Sequence, residues 1–443
     1  MSAAARRRWP PTRPSAPVQP RRTAILGTRA VRAAGLVLVL VGLIAVVLAS
    51  RPGRAWAAPA PQLSVRSAIL VEPTTGQVLY GARPQEEVAI ASATKLMTAL
   101  LTLEHVRELG TVFTQNNFYP AAVDSQIGLV PGERMTVHDL LLALMLPSAD
   151  DAAEDLAYNL GHGSVSRFVG MMNARARVLG LHHTNYTTPS GLDTPGNYST
   201  AADLVKLAGY DLGHSPYFAR IVALPHAVLH SGNHVRYVIN RNTLVSEYPW
   251  VNGVKTGHTG AAGYVLVASG HRDGMTLLSA VLGTSSEAAR DANTLALLDY
   301  GFANFRRVTP IRAGEVLARP TVAYRTGEHA ALVAATGLTR VIALRAGVRV
   351  RVQAPAQLTG PVPRHARLGT AVVLVGGRPV ARIPLLLARA LPAVSSLTIA
   401  ARFITRPLML VILVLAAAVS LALAFGIRQR RRARAGGGGL EAA

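Results

Sequence analysis

The hydrophobic positions of residues 62–305 follow two different periods along the chain. Residues 66–82 form two apolar stretches around a Pro-Thr-Thr-Gly turn, which predicts a β-hairpin, and residues 263–283 predict a second pair of strands. Elsewhere apolar side chains recur three and four residues apart, which predicts helices. The predicted helices cover residues 92–109, 137–146, 151–160 and 286–305. Strands near both ends, with helices between and after them, predict an α+β fold in which an antiparallel sheet carries packed helices and a helical subdomain.

The pattern changes after residue 308, where short alternating strands replace the helices. Residues 348–352 read Val-Arg-Val-Arg-Val, and two further apolar stretches flank Gly376 and Gly377. Alternation with a period of two and a Gly-Gly turn are typical of β-strands and hairpins. We therefore predict a small β-rich domain over residues 308–390, with the role of a spacer or a docking platform.

Two long apolar runs lie near the ends of the chain. The first, residues 33–49, follows an arginine-rich segment and precedes an Ala-Trp-Ala sequence at residues 55–57. A positive flank, a short apolar run and a site of small residues are typical of a secretory signal peptide. We therefore predict a signal peptide within residues 1–57, with an uncleaved N-terminal anchor as the alternative.

The second apolar run covers residues 407–427 and contains 21 residues without a charge. At about 1.5 Å rise per residue such a helix is about 31 Å long, close to the ~30 Å hydrocarbon thickness of a bilayer. Five arginines follow within residues 428–443, and flanks of this kind stay on the cytoplasmic side. We therefore expect a transmembrane helix in the cell membrane, a cytoplasmic basic tail, and an extracytoplasmic body over residues 58–400.

The composition of the 443-residue chain removes several classes of function. Because the chain has no cysteine, it cannot use a disulfide, a catalytic thiol or a cysteine-bound metal. The net charge of +23 suggests a nucleic-acid partner, but most of that charge lies in the two ends. Residues 58–400 contain 29 basic and 22 acidic residues. A nucleic-acid groove concentrates positive charge on the folded body, so we expect no nucleic-acid partner.

Lysine is the rarest charged residue in the chain, with three lysines against 43 arginines. Arginine does not lose its proton in a protein, whereas a lysine can act as a base when burial lowers its pKa. Lys95 follows Ser92 by three residues in a predicted helix, so its amine can reach the serine oxygen. A serine becomes a nucleophile when a neighbouring base takes its proton. Taken alone, this spacing is equally compatible with an ordinary helix surface.

Two further segments contain groups that could serve such a nucleophile. Lys255 precedes Thr256 and Gly257 just before the second strand pair, and a glycine there allows another backbone to approach closely. Ser148 and Asp150 lie between two predicted helices. The alternatives are a glycine-rich turn with one solvated lysine, and a helix cap formed by Ser148 or Asp150.

The order of the three segments resembles that of a known family. Penicillin-interacting serine enzymes share a signature of three motifs in a fixed order: Ser-x-x-Lys, then Ser-x-Asn, then Lys-Thr-Gly. This chain has Ser92 with Lys95, Ser148 with Asp150, and Lys-Thr-Gly at residues 255–257. The chain resembles the low-molecular-mass penicillin-binding proteins that act as serine-type D-Ala-D-Ala carboxypeptidases. The likeness covers roughly residues 60–390, and it implies a β-lactamase/transpeptidase-like catalytic domain over residues 62–305.

The resemblance implies a role for each residue of the first two motifs. Ser92 is the nucleophile that forms an acyl-enzyme with the penultimate D-alanine of a peptidoglycan stem peptide. Lys95 is the general base, and Ser148 passes a proton toward the leaving amine. The family needs no metal or organic cofactor, and β-lactam antibiotics acylate the same serine as covalent inhibitors.

The resemblance assigns substrate binding to the third motif and its neighbour. Lys255 supports the proton network electrostatically, and Thr256 helps to bind the terminal carboxylate of the substrate. Gly257 and His258, the next two residues, belong to the same substrate-binding segment. The backbone N–H groups of Ser92 and His258 form the oxyanion hole, in which one donor is typically worth a factor of about 10²–10³ in rate.

One residue departs from the family pattern, because Asp150 occupies the position of the motif asparagine. Asparagine both donates and accepts hydrogen bonds, whereas an ionised aspartate only accepts. A carboxylate beside Lys95 would also favour the protonated lysine. We therefore expect an active but altered enzyme with Asp150 in the substrate site. The alternatives are a catalytically weakened peptidoglycan- or penicillin-binding protein and a β-lactamase.

Overall fold

The computed structural model describes residues 59–115, 125–404 and 407–435. The predicted signal peptide, residues 1–57, lies outside the described residues, and so does the end of the basic tail, residues 436–443. Eighteen strands and ten helices are formed by the described residues.

The strands are β1 (Ser67–Glu72), β2 (Gln77–Ala82), β3 (Val112–Thr114), β4 (Arg134–Thr136), β5 (His226–Leu229), β6 (Arg236–Ile239), β7 (Val251–Thr259), β8 (Gly263–Arg272), β9 (Met275–Thr284), β10 (Phe305–Ile311), β11 (Val316–Ala318), β12 (Thr321–Val322), β13 (Leu332–Ala334), β14 (Leu338–Ala343), β15 (Val348–Gln353), β16 (Gln357–Leu358), β17 (Arg367–Val375) and β18 (Arg378–Leu387). The helices are α1 (Lys95–His105), α2 (Val137–Met145), α3 (Asp150–Leu160), α4 (Val165–Val178), α5 (Ala201–His214), α6 (Pro216–Val222), α7 (Leu244–Glu247), α8 (Glu287–Asn304), α9 (Ser396–Ile404) and α10 (Pro407–Ala435).

An antiparallel five-stranded sheet in the order β2-β1-β9-β8-β7 is the centre of the first half of the body. Because side chains alternate across a strand, β1 contributes to two cores at once. Ile69 packs with helices α1 to α6 on one face of the sheet, whereas Ala68 and Leu70 pack with α8 on the other. The strands between two helical layers confirm the predicted α+β fold.

Helix α1 is shorter than predicted at both ends. Residues Ala91–Thr94 form a turn of 3₁₀-helix, and the α-helix begins only at Lys95. It ends at His105, because Val106 adopts an extended conformation. The prediction of one continuous helix over residues 92–109 was therefore wrong at the ends, and the serine of the first motif precedes the α-helix.

The second half of the body is built from strands. Strands β11, β13, β18, β17 and β15 form a five-stranded sheet in that order, and β10 pairs with β14. The alternating sequence at residues 348–352 lies in β15, where Arg349 and Arg351 are exposed. Apolar side chains such as Val373, Ile383 and Leu385 fill the core on one face of this sheet.

Helix α10 contains the predicted apolar run 407–427. Within Pro407–Arg432, an 18-residue window of this helix has a mean hydropathy of 2.9, and none of that window is buried. By length and composition it is the one helix of the described residues that could cross a membrane. The short helix α9 precedes it and exposes 83% of Leu397.

Candidate active site

Ser92 lies in the 3₁₀ turn at the edge of the first sheet, where it lines a cleft of about 390 Å³. The preceding residue, Ala91, has a φ of +47°. A positive φ is uncommon for a residue with a Cβ, and such strained positions cluster at functional sites. The turn therefore presents the Ser92 side chain to the cleft from a backbone that the surrounding packing holds in place.

The Lys95 amine is fully buried and contacts three oxygens. Its Nζ lies 2.8 Å from Ser92 Oγ, 2.5 Å from Asp150 Oδ1 and 2.8 Å from the carbonyl oxygen of Ser190. A neutral amine has two N–H donors and one lone pair. Because Asp150 and the Ser190 carbonyl can only accept, the lone pair of a neutral Lys95 faces the hydroxyl of Ser92.

Burial lowers the pKa of Lys95, although Asp150 and Glu154 raise it. Desolvation disfavours the charged ammonium, and at this fully buried position it outweighs the attraction of the two carboxyl groups. Asp150 therefore acts in the expected direction, because it favours the protonated lysine, and burial opposes it. A lysine in this state can accept the proton of Ser92.

Ser148 lines the same cleft and is buried. Its φ is +69°, and its Oγ has no hydrogen-bond partner among the described residues. The alternative of a helix cap is wrong, because Ala149 is the N-cap of α3 and no side chain caps that end. A buried hydroxyl without a partner is available to a group that enters the cleft.

Helix α3 brings a second carboxyl group toward Lys95 that the sequence did not single out. Glu154 follows Asp150 by one helical turn and is buried. Burial, with a contribution from Asp150, raises the pKa of Glu154 to about 7. Its spacing of four residues from Asp150 was the signal that could have identified it.

Strand β7 holds Lys255 on the other side of Ser92. The Lys255 amine is buried and donates to the carbonyl of Thr256 at 3.0 Å. Burial lowers the pKa of Lys255 well below its usual value, and the positive charges of Lys95 and Arg241 lower it further. The positive charge of Lys95 thus favours the neutral form of Lys255.

Gly257 allows β7 to approach the turn that carries Ser92. A Cβ at this position would lie 3.0 Å from the backbone nitrogen of Ser92 and 3.0 Å from the Cβ of Ala91. The predicted close approach at Gly257 therefore has a defined partner. His258, the next residue, stacks its ring on Tyr264 at 4.0 Å and also lines the cleft.

Arg241 and Arg290 also line the cleft, and no sequence pattern singled them out. The side chain of Arg290 is 2% exposed and forms ion pairs with Glu287 and Asp291. Arg241 contributes positive charge to both lysines of the site. Guanidinium groups of this kind can bind a carboxylate, and arginine is too common in this chain for its position in the sequence to mark a site.

The geometry brings together all the residues that the three motifs predicted. The cleft is lined by Ser92, Ser148, Asp150, Thr256, Gly257 and His258, and Lys95 and Lys255 lie buried behind it. The profile of the D-alanyl-D-alanine carboxypeptidase family matches residues 54–286. The chain belongs to the D-alanyl-D-alanine carboxypeptidase family. The prediction drawn from the motifs is confirmed at the level of the family.

Curated members of the D-alanyl-D-alanine carboxypeptidase family are similar to most of the chain. The D-alanyl-D-alanine carboxypeptidase DacF of Bacillus subtilis is 30% identical over 328 residues, which cover 72% of this chain and 84% of that protein. DacB2 of Mycobacterium tuberculosis is 35% identical over 254 residues, covering 56% of this chain and 86% of its own length.

Solved structures of related proteins have the same fold. Penicillin-binding protein 5 of Haemophilus influenzae is 27% identical, with a TM-score of 0.63 over 76% of this chain and 99% of that one. The Streptomyces K15 DD-transpeptidase is 33% identical, with a TM-score of 0.53 over 56% of this chain and 100% of its own. The second structure is similar to a shorter part of the chain than the first.

Proposed function

We propose that the chain is a serine-type D-Ala-D-Ala carboxypeptidase that removes the terminal D-alanine from peptidoglycan stem peptides. One observation carries this proposal. The buried amine of Lys95 lies 2.8 Å from Ser92 Oγ, and its pKa is lowered. Ser92 is thus a nucleophile, and Lys95 is the neighbouring base that activates it.

Acylation begins with the transfer of the Ser92 proton to Lys95. Ser92 Oγ then attacks the carbonyl carbon between the two terminal D-alanines. The backbone N–H groups of Ser92 and His258 hold the oxyanion, and the close approach at Gly257 supports their proximity. The C–N bond breaks, and the leaving amine takes a proton that Ser148 relays from Lys95.

Substrate binding depends on positive charge at one end of the cleft. The terminal carboxylate of the stem peptide lies toward Thr256, with Arg290 and Arg241 as its cationic neighbours. Burial and the positive charge of Arg241 keep the pKa of Lys95 low, and Lys255 lies buried in the same network. A water molecule, activated by Lys95, then hydrolyses the acyl-enzyme and releases the shortened peptide.

The enzyme acts at the cell membrane. Helix α10 anchors the body, which lies on the extracytoplasmic side, and the arginines after residue 427 lie in the cytoplasm. The length of α10 and its mean hydropathy support this topology. β-Lactam antibiotics acylate Ser92 and remain bound as covalent inhibitors.

The test uses the full chain with a fluorescent penicillin and, separately, a pentapeptide that ends in D-Ala-D-Ala. We expect labelling and release of D-alanine from the wild-type protein, and neither from Ser92→Ala. The control is Ser166→Ala on the exposed surface of α4, which retains both. Labelling without release of D-alanine would instead support a weakened penicillin-binding protein, and labelling of the Ser92→Ala protein would contradict the assignment of the nucleophile.

A further inference from the structure

The two halves of the body carry opposite charge. Residues 59–304 contain fifteen lysines and arginines and twenty acidic residues. Residues 305–391 contain fourteen arginines, no lysine and two glutamates, hence a formal charge of +12. The positive charge of the folded body therefore belongs to the β-rich half alone.

Nearly all the arginines of the β-rich half face solvent and form no ion pair among the described residues. Thirteen of the fourteen are exposed, and Arg325 is half-buried. Among the described residues, one ion pair lies in this half, between Arg325 and Glu328 at 3.2 Å. Exposed like charges repel one another, so this surface fits an anionic partner.

Three of these arginines share one face of the second sheet. Arg351 lies opposite Val372 on β17, and Val372 lies opposite Arg382 on β18. Paired residues of an antiparallel sheet point to the same side, and Arg349 precedes Arg351 by two residues. The opposite side carries the apolar core. We call Arg349, Arg351 and Arg382 the arginine face.

The chain holds this surface near the helix that can cross a membrane. Strand β18 ends at Leu387, and α9 begins at Ser396, directly before α10. The eight residues between them span at most about 30 Å when fully extended. A bilayer that contains α10 is therefore the one large surface to which the β-rich half is tethered.

We propose that the arginine face docks on the anionic phospholipid headgroups of the bilayer that α10 spans. This inference rests on the membrane span in the proposed function. Guanidinium groups bind phosphate through paired hydrogen bonds, and an anionic membrane surface attracts basic residues that lie close to it. The tether favours the membrane over a soluble polyanion, because it keeps the headgroups close.

The test exploits the absence of cysteine in the chain. A single cysteine at Gln353, on the same side of β15 as Arg351, carries a fluorophore in the full-length protein. The protein is placed in nanodiscs of phosphatidylcholine alone or of an equal mixture with phosphatidylglycerol, each with a quencher at the headgroups. We expect at least about threefold stronger quenching in the anionic discs, lost at high salt because the contact is electrostatic.

Two sets of substitutions separate the arginine face from net charge. Replacing Arg349, Arg351 and Arg382 by glutamine removes the additional quenching. The control set replaces the exposed Arg107, Arg134 and Arg177 of the catalytic half by glutamine. It changes the net charge by the same amount, and we expect the additional quenching to remain. Penicillin labelling of Ser92 is unchanged by either set, because none of these arginines lines the cleft.

Several outcomes would overturn the docking. The first is equal quenching in the two kinds of disc. The second is an equal loss of the additional quenching with both sets of substitutions, and the third is failure of the protein to insert into either disc. Binding of soluble polyphosphate that depends on the arginine face, without any effect of lipid composition, would assign the face to a soluble polyanion instead. Loss of penicillin labelling with intact quenching would contradict the enzymatic proposal and leave the docking in place.

Discussion

The catalytic half and the β-rich half of the body place their polar groups in opposite ways. Among the described residues, every buried polar or charged side chain lies between Ser67 and Asn304. The core of the β-rich half is apolar throughout, and its charges are on the surface. Because a buried charge loses its hydration, a chain retains one where another requirement outweighs that loss.

The comparison of the two halves separates residues that take part in the reaction from residues that stabilise the fold. Lys95, Lys255 and Arg290 are almost completely buried around one cleft. Burial lowers the pKa of both lysines, and the same burial would destabilise a site with no function. The β-rich half contains no such group among its described residues, so its core contributes packing alone.

The largest effect that the comparison predicts is the loss of acylation when β7 is pushed away from Ser92. In Gly257→Ala the new Cβ would lie 3.0 Å from the Ser92 nitrogen. We expect penicillin acylation to fall by about 10²–10³-fold, the effect of losing one oxyanion donor, with little change in melting temperature. The control is Gly213→Ala, where a Cβ meets no atom within 4 Å. Unchanged acylation in Gly257→Ala would show that the close approach is not needed.

A core substitution in the β-rich half should change stability without changing chemistry. Leu385 is fully buried in that half, so Leu385→Ala should lower the free energy of unfolding by about 2–5 kcal/mol. Calorimetry of the full chain and the rate of penicillin acylation measure the two effects. Leu386→Ala is the control, because Leu386 is half-buried and its replacement should lower the free energy of unfolding by less. A large loss of acylation in the folded Leu385→Ala protein would contradict the separation of the two halves.

Asp150→Asn should increase acylation by about tenfold at neutral pH. The change removes a carboxylate that raises the pKa of Lys95, and one pKa unit corresponds to a factor of ten in the neutral form. The asparagine oxygen can still accept from the amine. Asp299→Asn, which removes an exposed ion pair with Arg272, should leave the rate unchanged. A lower rate in Asp150→Asn would mean that the carboxylate assists the reaction.

The smallest predicted effect is a shift of the pH profile in Glu154→Gln. Glu154 ionises at about pH 7, and its negative charge then raises the pKa of Lys95. The substitution should move the rise of acylation with pH to lower pH, because Lys95 then loses its proton more readily. Asp150 and Arg241 remain as the other charged neighbours of Lys95, and the exposed Glu247→Gln is the control.

Glu154 should also make the stability of the folded chain depend on pH. Its pKa in the folded protein is above its usual value of 4.5, so the folded state retains a proton that the unfolded state loses. The stabilisation is complete below about pH 4.5 and is lost as the pH rises to about 7. In Glu154→Gln this decrease between the two values should disappear from denaturation curves.

The sequence predicted the parts of the site that depend on local spacing. Ser92 and Lys95 meet because three residues make one turn, although that turn is 3₁₀ rather than α-helical. The contact of Lys95 with the Ser190 carbonyl joins residues 95 positions apart, and no local pattern specifies it. The same holds for Arg290, whose helix reaches the cleft only after the sheet is assembled. The fold class was predictable because periodicity and element order are local signals as well.

The three contacts of Lys95 have a consequence for the path of a single proton. Its side chain has no exposure to solvent, and its nitrogen contacts three protein oxygens. A proton taken from Ser92 therefore cannot escape to bulk water through the amine and must return through the groups of the cleft. During acylation, that proton passes from Lys95 to the leaving amine. During deacylation, Lys95 takes a new proton from the attacking water, so the site exchanges protons with substrate and water inside the cleft alone.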